Sequence, residues 1–271
     1  RSPMTVNRPA RIGLRVIALG YLALLLLLPV GLVFEKTFAQ GLSSVWSSIT
    51  TPAAISAFWL TMEIAVIALV ANTVFGVVCA LVLVRGRGRA RWLLDVIIEV
   101  PFVISPVIIG LSLILVYGTT GWFGKWLISH GITVIFNPLG MILATVFVSL
   151  PFVVREVAPV LREIGTEQEQ AAATLGASRL QTFLRITLPS IRWGLAYGIV
   201  LTTARALGEF GAVLIVSGNI AGRTQTLPLL IDTRFYNFDS AGAYTAGALL
   251  AAISIFVLVV MTMTAPDKRR L

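Results

Sequence analysis

Six runs of apolar residues, each long enough to cross a bilayer, exclude most folds for this chain. A hydrocarbon core of about 30 Å takes roughly 20 apolar residues at helical rise. The runs are Leu14–Phe34, Ala57–Val84, Trp92–Tyr117, Pro138–Val154, Gly194–Ser217 and Gly242–Ala265. Lipid offers the backbone no hydrogen-bond partners, so a span is either a helix or part of a closed barrel. These runs are continuous rather than alternating, which excludes the barrel. The expectation is an all-α membrane protein with six transmembrane helices in a single domain, 1–271. The charged fraction agrees: 12 %, against roughly 25 % in ordinary soluble domains. The first run is not followed by a convincing small-residue cleavage site, so it is expected to be retained as a span.

An even number of spans puts both termini on one side. On that side fall Arg1, Arg8, Arg11, Arg15, Arg85, Arg87, Arg89, Arg91, Arg155, Arg162, Arg179, Arg185, Arg192, Lys268, Arg269 and Arg270. The other side holds Lys36, Lys125, Arg223 and Arg234, a division of 16 to 4 with Arg205 left inside a span. Basic loops stay in the cytoplasm. The chain is therefore expected in the inner (plasma) membrane, multi-pass, with both termini cytoplasmic.

Composition removes several functions. The net charge of +9 flanks apolar runs and forms no basic patch interleaved with aromatics, so nucleic acid is not an expected partner. The single Cys79 lies inside an apolar run and cannot form an internal disulfide. His130 lies in a loop without a partner motif, and no metal-ligand cluster or Ser/His/Asp constellation occurs. Catalytic and metal residues are accordingly none, and the chain itself is expected to need no cofactor. It also has no Gly-rich phosphate loop ending in Gly-Lys-Ser/Thr, so the chain is not expected to bind ATP in that manner itself.

Polar residues inside the spans are the next signal. Arg205 stands 11 residues past Gly194, roughly 16 Å along a helix and near mid-bilayer. A charge there costs a few kcal/mol on insertion scales (~3) and usually faces protein or water. Glu209 follows one turn later, within pairing reach. The bland reading is a salt bridge that lowers insertion cost; the sharper one is an anion path. Gly208 and Gly211 suggest close helix packing beside the pair. Glu63 and Glu99, in the second and third runs, have no sequence-local cation, and pairing of either with Arg205 across helices stays open. Pro101, Pro106 and Pro151 mark bends in the third and fourth spans.

One polar stretch, Gly165–Trp193, lies on the basic side, within a loop of about 156–193. It contains Gln170-Ala171-Ala172, then Gly176 after three residues, then Ile186 after nine more, then Leu188-Pro189. Its small residues let a short helix approach another protein closely. The pattern resembles the EAA loop of ABC-importer permeases, which docks on the ATP-hydrolysing subunit; Gln170 stands where that motif usually has Glu. The resemblance implies docking through Gln170, Ala171, Ala172, Leu175, Gly176, Ala177 and Ser178.

A narrower resemblance follows. Arg205-Ala-Leu-Gly-Glu-Phe-Gly-Ala212, Ser217-Gly-Asn-Ile220 and Thr226-Leu-Pro-Leu229 resemble the sulfate and molybdate branch of these permeases. Glu99-Val-Pro-Phe-Val-Ile-Ser-Pro-Val107 and Leu150-Pro-Phe-Val-Val-Arg-Glu156 are similar to W-type subunits of sulfate/thiosulfate importers. The resemblance implies a type I importer permease fold with a cytoplasmic coupling helix. It also implies two ATP-binding subunits, a homologous T-type permease as heterodimer partner and an extracytoplasmic sulfate-binding protein. The translocation path is then expected near Arg205, Gly208, Glu209, Glu63 and Glu99. The alternatives are a molybdate or tungstate permease, an ion-coupled secondary transporter using Glu63, Glu99 and Glu209, and a membrane scaffold without transport.

Overall fold

The computed structural model describes residues 8–39, 41–86 and 88–264. Arg1, Arg87, Ala265, Lys268, Arg269, Arg270 and the side chains of Arg8 and Arg11 lie outside the described residues. All regular structure among the described residues is helical.

Four helices are long and apolar enough to span on their own: α1 (Arg8–Phe38), α3 (Pro52–Arg85), α7 (Pro138–Ile164) and α13 (Ser240–Thr264). The other two spans are broken pairs. The third run is α4 (Arg89–Val103) followed by α5 (Pro106–Tyr117), bent by 115°. The fifth joins α10 (Leu188–Leu207) to α11 (Gly211–Ser217) at 51°. Counting each pair once gives six spans. The third is thus no merely kinked helix. Its break falls at Ile104–Ser105, where both residues are extended (ψ 135° and 137°). A residue before proline is driven out of the helical region, and Pro106 imposes that on Ser105. Pro101 sits inside α4 without ending it.

The expected loop 156–193 also changes shape. Residues 156–164 continue α7, and the chain from Arg179 is helical through α9 (Arg179–Thr182), a π-helical turn (Phe183–Thr187) and α10. Only α8 (Glu167–Thr174) and its flanking turns stand apart. Short helices α2 (Leu42–Ile49), α6 (Gly124–Ser129) and α12 (Leu227–Tyr236) complete the described chain. They are too short for a span-length search of the sequence to detect.

The centre is α7, packed against α3 and α10. Three glycines bring these helices together around Val153. A Cβ on Gly76 would meet the Val153 Cβ at 2.6 Å, and one on Gly198 would meet the Val153 Cα at 2.9 Å. A Cβ on Gly194 would lie 2.6 Å from the Glu156 carbonyl. Such close approach gives van der Waals contact, the main attraction available where lipid is as apolar as the side chains. Asn72 adds an interhelical hydrogen bond, donating to Ser149 Oγ at 2.8 Å with both residues buried. Gly208 does not pack as expected: a Cβ there would meet only the Ala204 carbonyl of its own helix, at 3.7 Å, and the residue ends α10 instead. Gly211 does pack, tightly, against Pro106 of α5.

At the end of the molecule opposite α8, Arg234 of α12 donates to the Ser48 carbonyl (3.0 Å), the Thr51 hydroxyl (3.1 Å) and the Gly242 carbonyl (3.0 Å). One side chain thereby ties α2, α3, α12 and α13 together. By contrast, α1 packs mainly against α13 and α2, and its described side chains are almost all exposed.

Candidate functional site

Three polar stations lie along the molecule from its middle to the α8 end. The first is the break between α10 and α11. Arg205, in the last turn of α10, places Nη1 2.8 Å from Oε2 of Glu209. Glu209 Oε1 accepts from the Ala212 N–H at 2.9 Å, closing the first turn of α11. The Glu209 side chain is 2 % exposed and that of Arg205 31 %. The carboxylate is therefore fixed in protein, while the guanidinium reaches a cavity of about 390 Å³. The rest of its wall is residues 101–106 at the α4–α5 break, with Val148 and Phe152 of α7. The sequence pairs Arg205 with Glu209 correctly; that the bend of the third span lies opposite is a tertiary fact.

The second station is Glu99. It pairs with Arg155 of α7 rather than with Arg205, Oε1 to Nη2 at 2.7 Å. Both side chains are about half exposed (52 % and 53 %). They border a cavity of about 310 Å³ that also takes in Asp95, Pro159 and Arg162. The Arg155 guanidinium lies 5.2 Å from the centre of the Phe102 ring. Phe102 and Phe152 meet edge to face, centroids 5.3 Å apart. Both rings line the Arg205 cavity, and Phe102 touches Arg155, which borders the other one. Glu63 joins neither station. It is exposed on α3, on a stripe with Trp59, Ile67 and Val70.

The third station is α8. Arg85, at the end of α3, donates to the carbonyls of Leu161 and Gly165 and pairs with Glu169 Oε1 at 3.2 Å. The same Oε1 accepts from Thr187 Oγ1 at 2.9 Å. The guanidinium thus clamps α8 to the ends of α3 and α7, and the Glu169 carboxylate ties it to the π turn that leads into α10. Gln170 does not take part; its Nε2 donates to Thr166 Oγ1 within the same helix. Gly176 reverses the chain at φ +82°, a conformation that favours glycine, so what the structure shows of it is a conformational role. Ser178 then caps α9 through a reciprocal pair of hydrogen bonds with Gln181. Ala171, Ala173, Leu175, Gly176 and Ser178 are exposed; Ala172 and Ala177 are half-buried. Leu175 is 88 % exposed, and Leu180 and Leu184 are also exposed.

Sequence reasoning passed over Arg85, Glu169, Thr187 and Arg155. Glu169 immediately precedes the docking pattern and was legible as a charge, not as a clamp. Arg85 and Arg155 counted only toward orientation. Among the described residues no group of three or more His, Cys, Asp or Glu could hold a metal ion.

A helical membrane protein with broken spans facing a central arginine, and a short clamped helix projecting at one end, has the build of a permease subunit. Residues 72–270 match the family described as binding-protein-dependent transport system inner membrane component, and the chain belongs to that family. It is 46 % identical over 260 residues to the sulfate transport system permease protein CysW of Synechocystis sp., covering 94 % of each chain. It is 38 % identical over 241 residues to the sulfate transport system permease protein CysT of Escherichia coli, covering 89 % of this chain and 87 % of that one. Among solved structures it resembles a chain of a bacterial ABC transporter that imports the acidic polysaccharide alginate. The TM-score is 0.78 over 94 % of both chains, at 17 % identity. That likeness establishes the fold, the type I ABC importer permease.

Proposed function

We propose that this chain is the W-type membrane subunit of an ATP-driven importer of sulfate or thiosulfate. The observation that carries the reading is the 46 % identity to a sulfate permease along nearly the whole of both chains. The basic end is cytoplasmic, with both termini there, and α8 is the coupling helix. It carries the motion of two ATP-binding subunits into the spans through the Arg85–Glu169 clamp. A homologous T-type permease completes the anion path, and an extracytoplasmic binding protein delivers the anion. The chain acts as one transmembrane domain, performs no catalysis and carries no cofactor of its own.

The path runs past Arg205, with Glu209 and Gly208 fixing that arginine's position and Glu99 further toward the cytoplasm. Glu63 is assigned to contact across the permease pair. Two negative charges entering against −100 mV cost about 4.6 kcal/mol, twice 2.3, so import needs an energy source, and coupling to ATP supplies one.

Reconstitution with ATPases, partner permease and binding protein tests the reading. Sulfate uptake should require ATP and persist when proton and sodium gradients are collapsed. In the same system Leu175→Arg should abolish co-purification of the ATPase, since it puts a charge on the exposed apolar residue that caps the C-terminus of α8. Uptake by this chain alone in a proton gradient would establish an ion-coupled carrier instead.

A further inference from the structure

Three features of the spans are not yet accounted for: the pairing of Glu99 with Arg155, the cavity that pair borders, and the aromatic contact that runs from Arg155 to the Arg205 cavity. An exposed ion pair inside the span region is costly against lipid, so it faces water or protein. Arg155 carries five N–H donors, and one of its nitrogens is used on Glu99. Its side chain is half exposed and borders the cavity of about 310 Å³. Seven residues further along α7, two turns and about 10 Å, Arg162 borders the same cavity. Arg162 is in no ion pair among the described residues. On the facing helix, Asp95 and Glu99 are spaced four apart and so share one side. Two guanidinium groups and two carboxylates thus line one compartment in opposed rows.

We propose that Arg155 and Arg162 form a second anion site, on the release side of the Phe102–Phe152 contact, and that Glu99 is its built-in competitor. The inference rests on the sulfate reading. A tetrahedral dianion leaving Arg205 passes the two rings and displaces the Glu99 carboxylate from Arg155, which offers the anion paired donors. Glu99 then reclaims Arg155 and expels the anion toward Arg162 and the α8 end. Without the competitor the arginine would hold the dianion; without the arginine the compartment would repel it through Asp95 and Glu99.

The test uses the complete assembly, purified for thermal unfolding in a sulfate titration and reconstituted for uptake of radiolabelled sulfate. Glu99→Gln should lower the sulfate concentration giving half-maximal stabilisation about tenfold, the scale of one charge-assisted hydrogen bond. It should also slow maximal uptake several-fold, because release is retarded. Arg155→Gln should remove the release-side component of sulfate stabilisation, and Arg155→Lys should restore part of it. If Arg155→Gln does not assemble, Glu99→Gln decides alone. Variants that change stability equally with and without sulfate, while wild-type uptake proceeds, would overturn this site and leave the sulfate reading intact. No sulfate uptake by the wild-type assembly would overturn both.

Discussion

Two ion pairs of nearly equal length sit on this molecule, Arg205–Glu209 at 2.8 Å and Arg155–Glu99 at 2.7 Å, and distance does not tell them apart. Burial and additional partners do. Glu209 is 2 % exposed and is also bound by the Ala212 N–H, so it holds both a cation and a helix start. Glu99 is half exposed and holds Arg155 alone. The first pair is fixed into the break of a span. The second joins two helices across a cavity and can open without unmaking either. One arginine is thus held by a buried, doubly bonded carboxylate and the other by an exposed, singly bonded one; on the proposed path, the first would stay fixed and the second could exchange.

The largest test of that contrast removes the fixed carboxylate. Glu209→Ala leaves the Arg205 guanidinium, 31 % exposed at its cavity, without a counter-ion and frees the buried Ala212 N–H. Breaking one half of a buried pair costs about 3–5 kcal/mol, so thermal unfolding in detergent should show a large loss. Glu99→Gln should cost under about 1 kcal/mol, as exposed pairs do. Equal losses in the two variants would erase the distinction between a fixed and an exchangeable pair.

Arg85 is intermediate, and it sharpens the comparison from outside the path. Its side chain is 22 % exposed and is held by two carbonyls besides Glu169. Arg85→Ala should cost about 2 kcal/mol, since lost hydrogen bonds to a charged group run at 1.5–3 kcal/mol. The loosening should be local: amide exchange should rise over residues 165–187 and remain unchanged around Asn72 and Ser149. In the assembled importer, ATP hydrolysis should then continue with less sulfate moved per ATP. Uniform acceleration of exchange would instead make Arg85 a core residue like Glu209.

The sequence makes the spans readable because a solvent that cannot hydrogen-bond leaves the backbone one solution. Arg205 and Glu209 were readable as a pair because four residues separate them. The break at Ile104–Ser105 was only half readable. Two prolines mark the region, but which one ends the helix depends on packing, and the 115° turn depends on α11 lying against α5 through Gly211 and Pro106. Glu99–Arg155, 56 positions apart, and Arg85–Glu169, 84 apart, carry no local signature at all. The docking pattern pointed to α8 but not to what holds it. Gln170, in the motif's leading position, bonds only within its own helix, while the preceding Glu169 makes the clamp.

Glu63 supplies the smallest expected effect and the control for the whole comparison. It is a carboxylate in a span, as Glu99 and Glu209 are, but it is exposed on α3 and in no ion pair among the described residues. Glu63→Gln therefore removes no counter-ion from an arginine and opens no cavity. In the isolated chain its effect on thermal unfolding should stay within about 0.5 kcal/mol, the range of surface changes away from specific features. Measured beside Glu99→Gln and Glu209→Ala, it separates the charge of an intramembrane carboxylate from the partner that carboxylate holds. A loss matching or exceeding that of Glu99→Gln would show that a bare charge on a span face accounts for the smaller effects. The exchangeable pair would then have no measured basis in stability, leaving sulfate-dependent binding as its sole support.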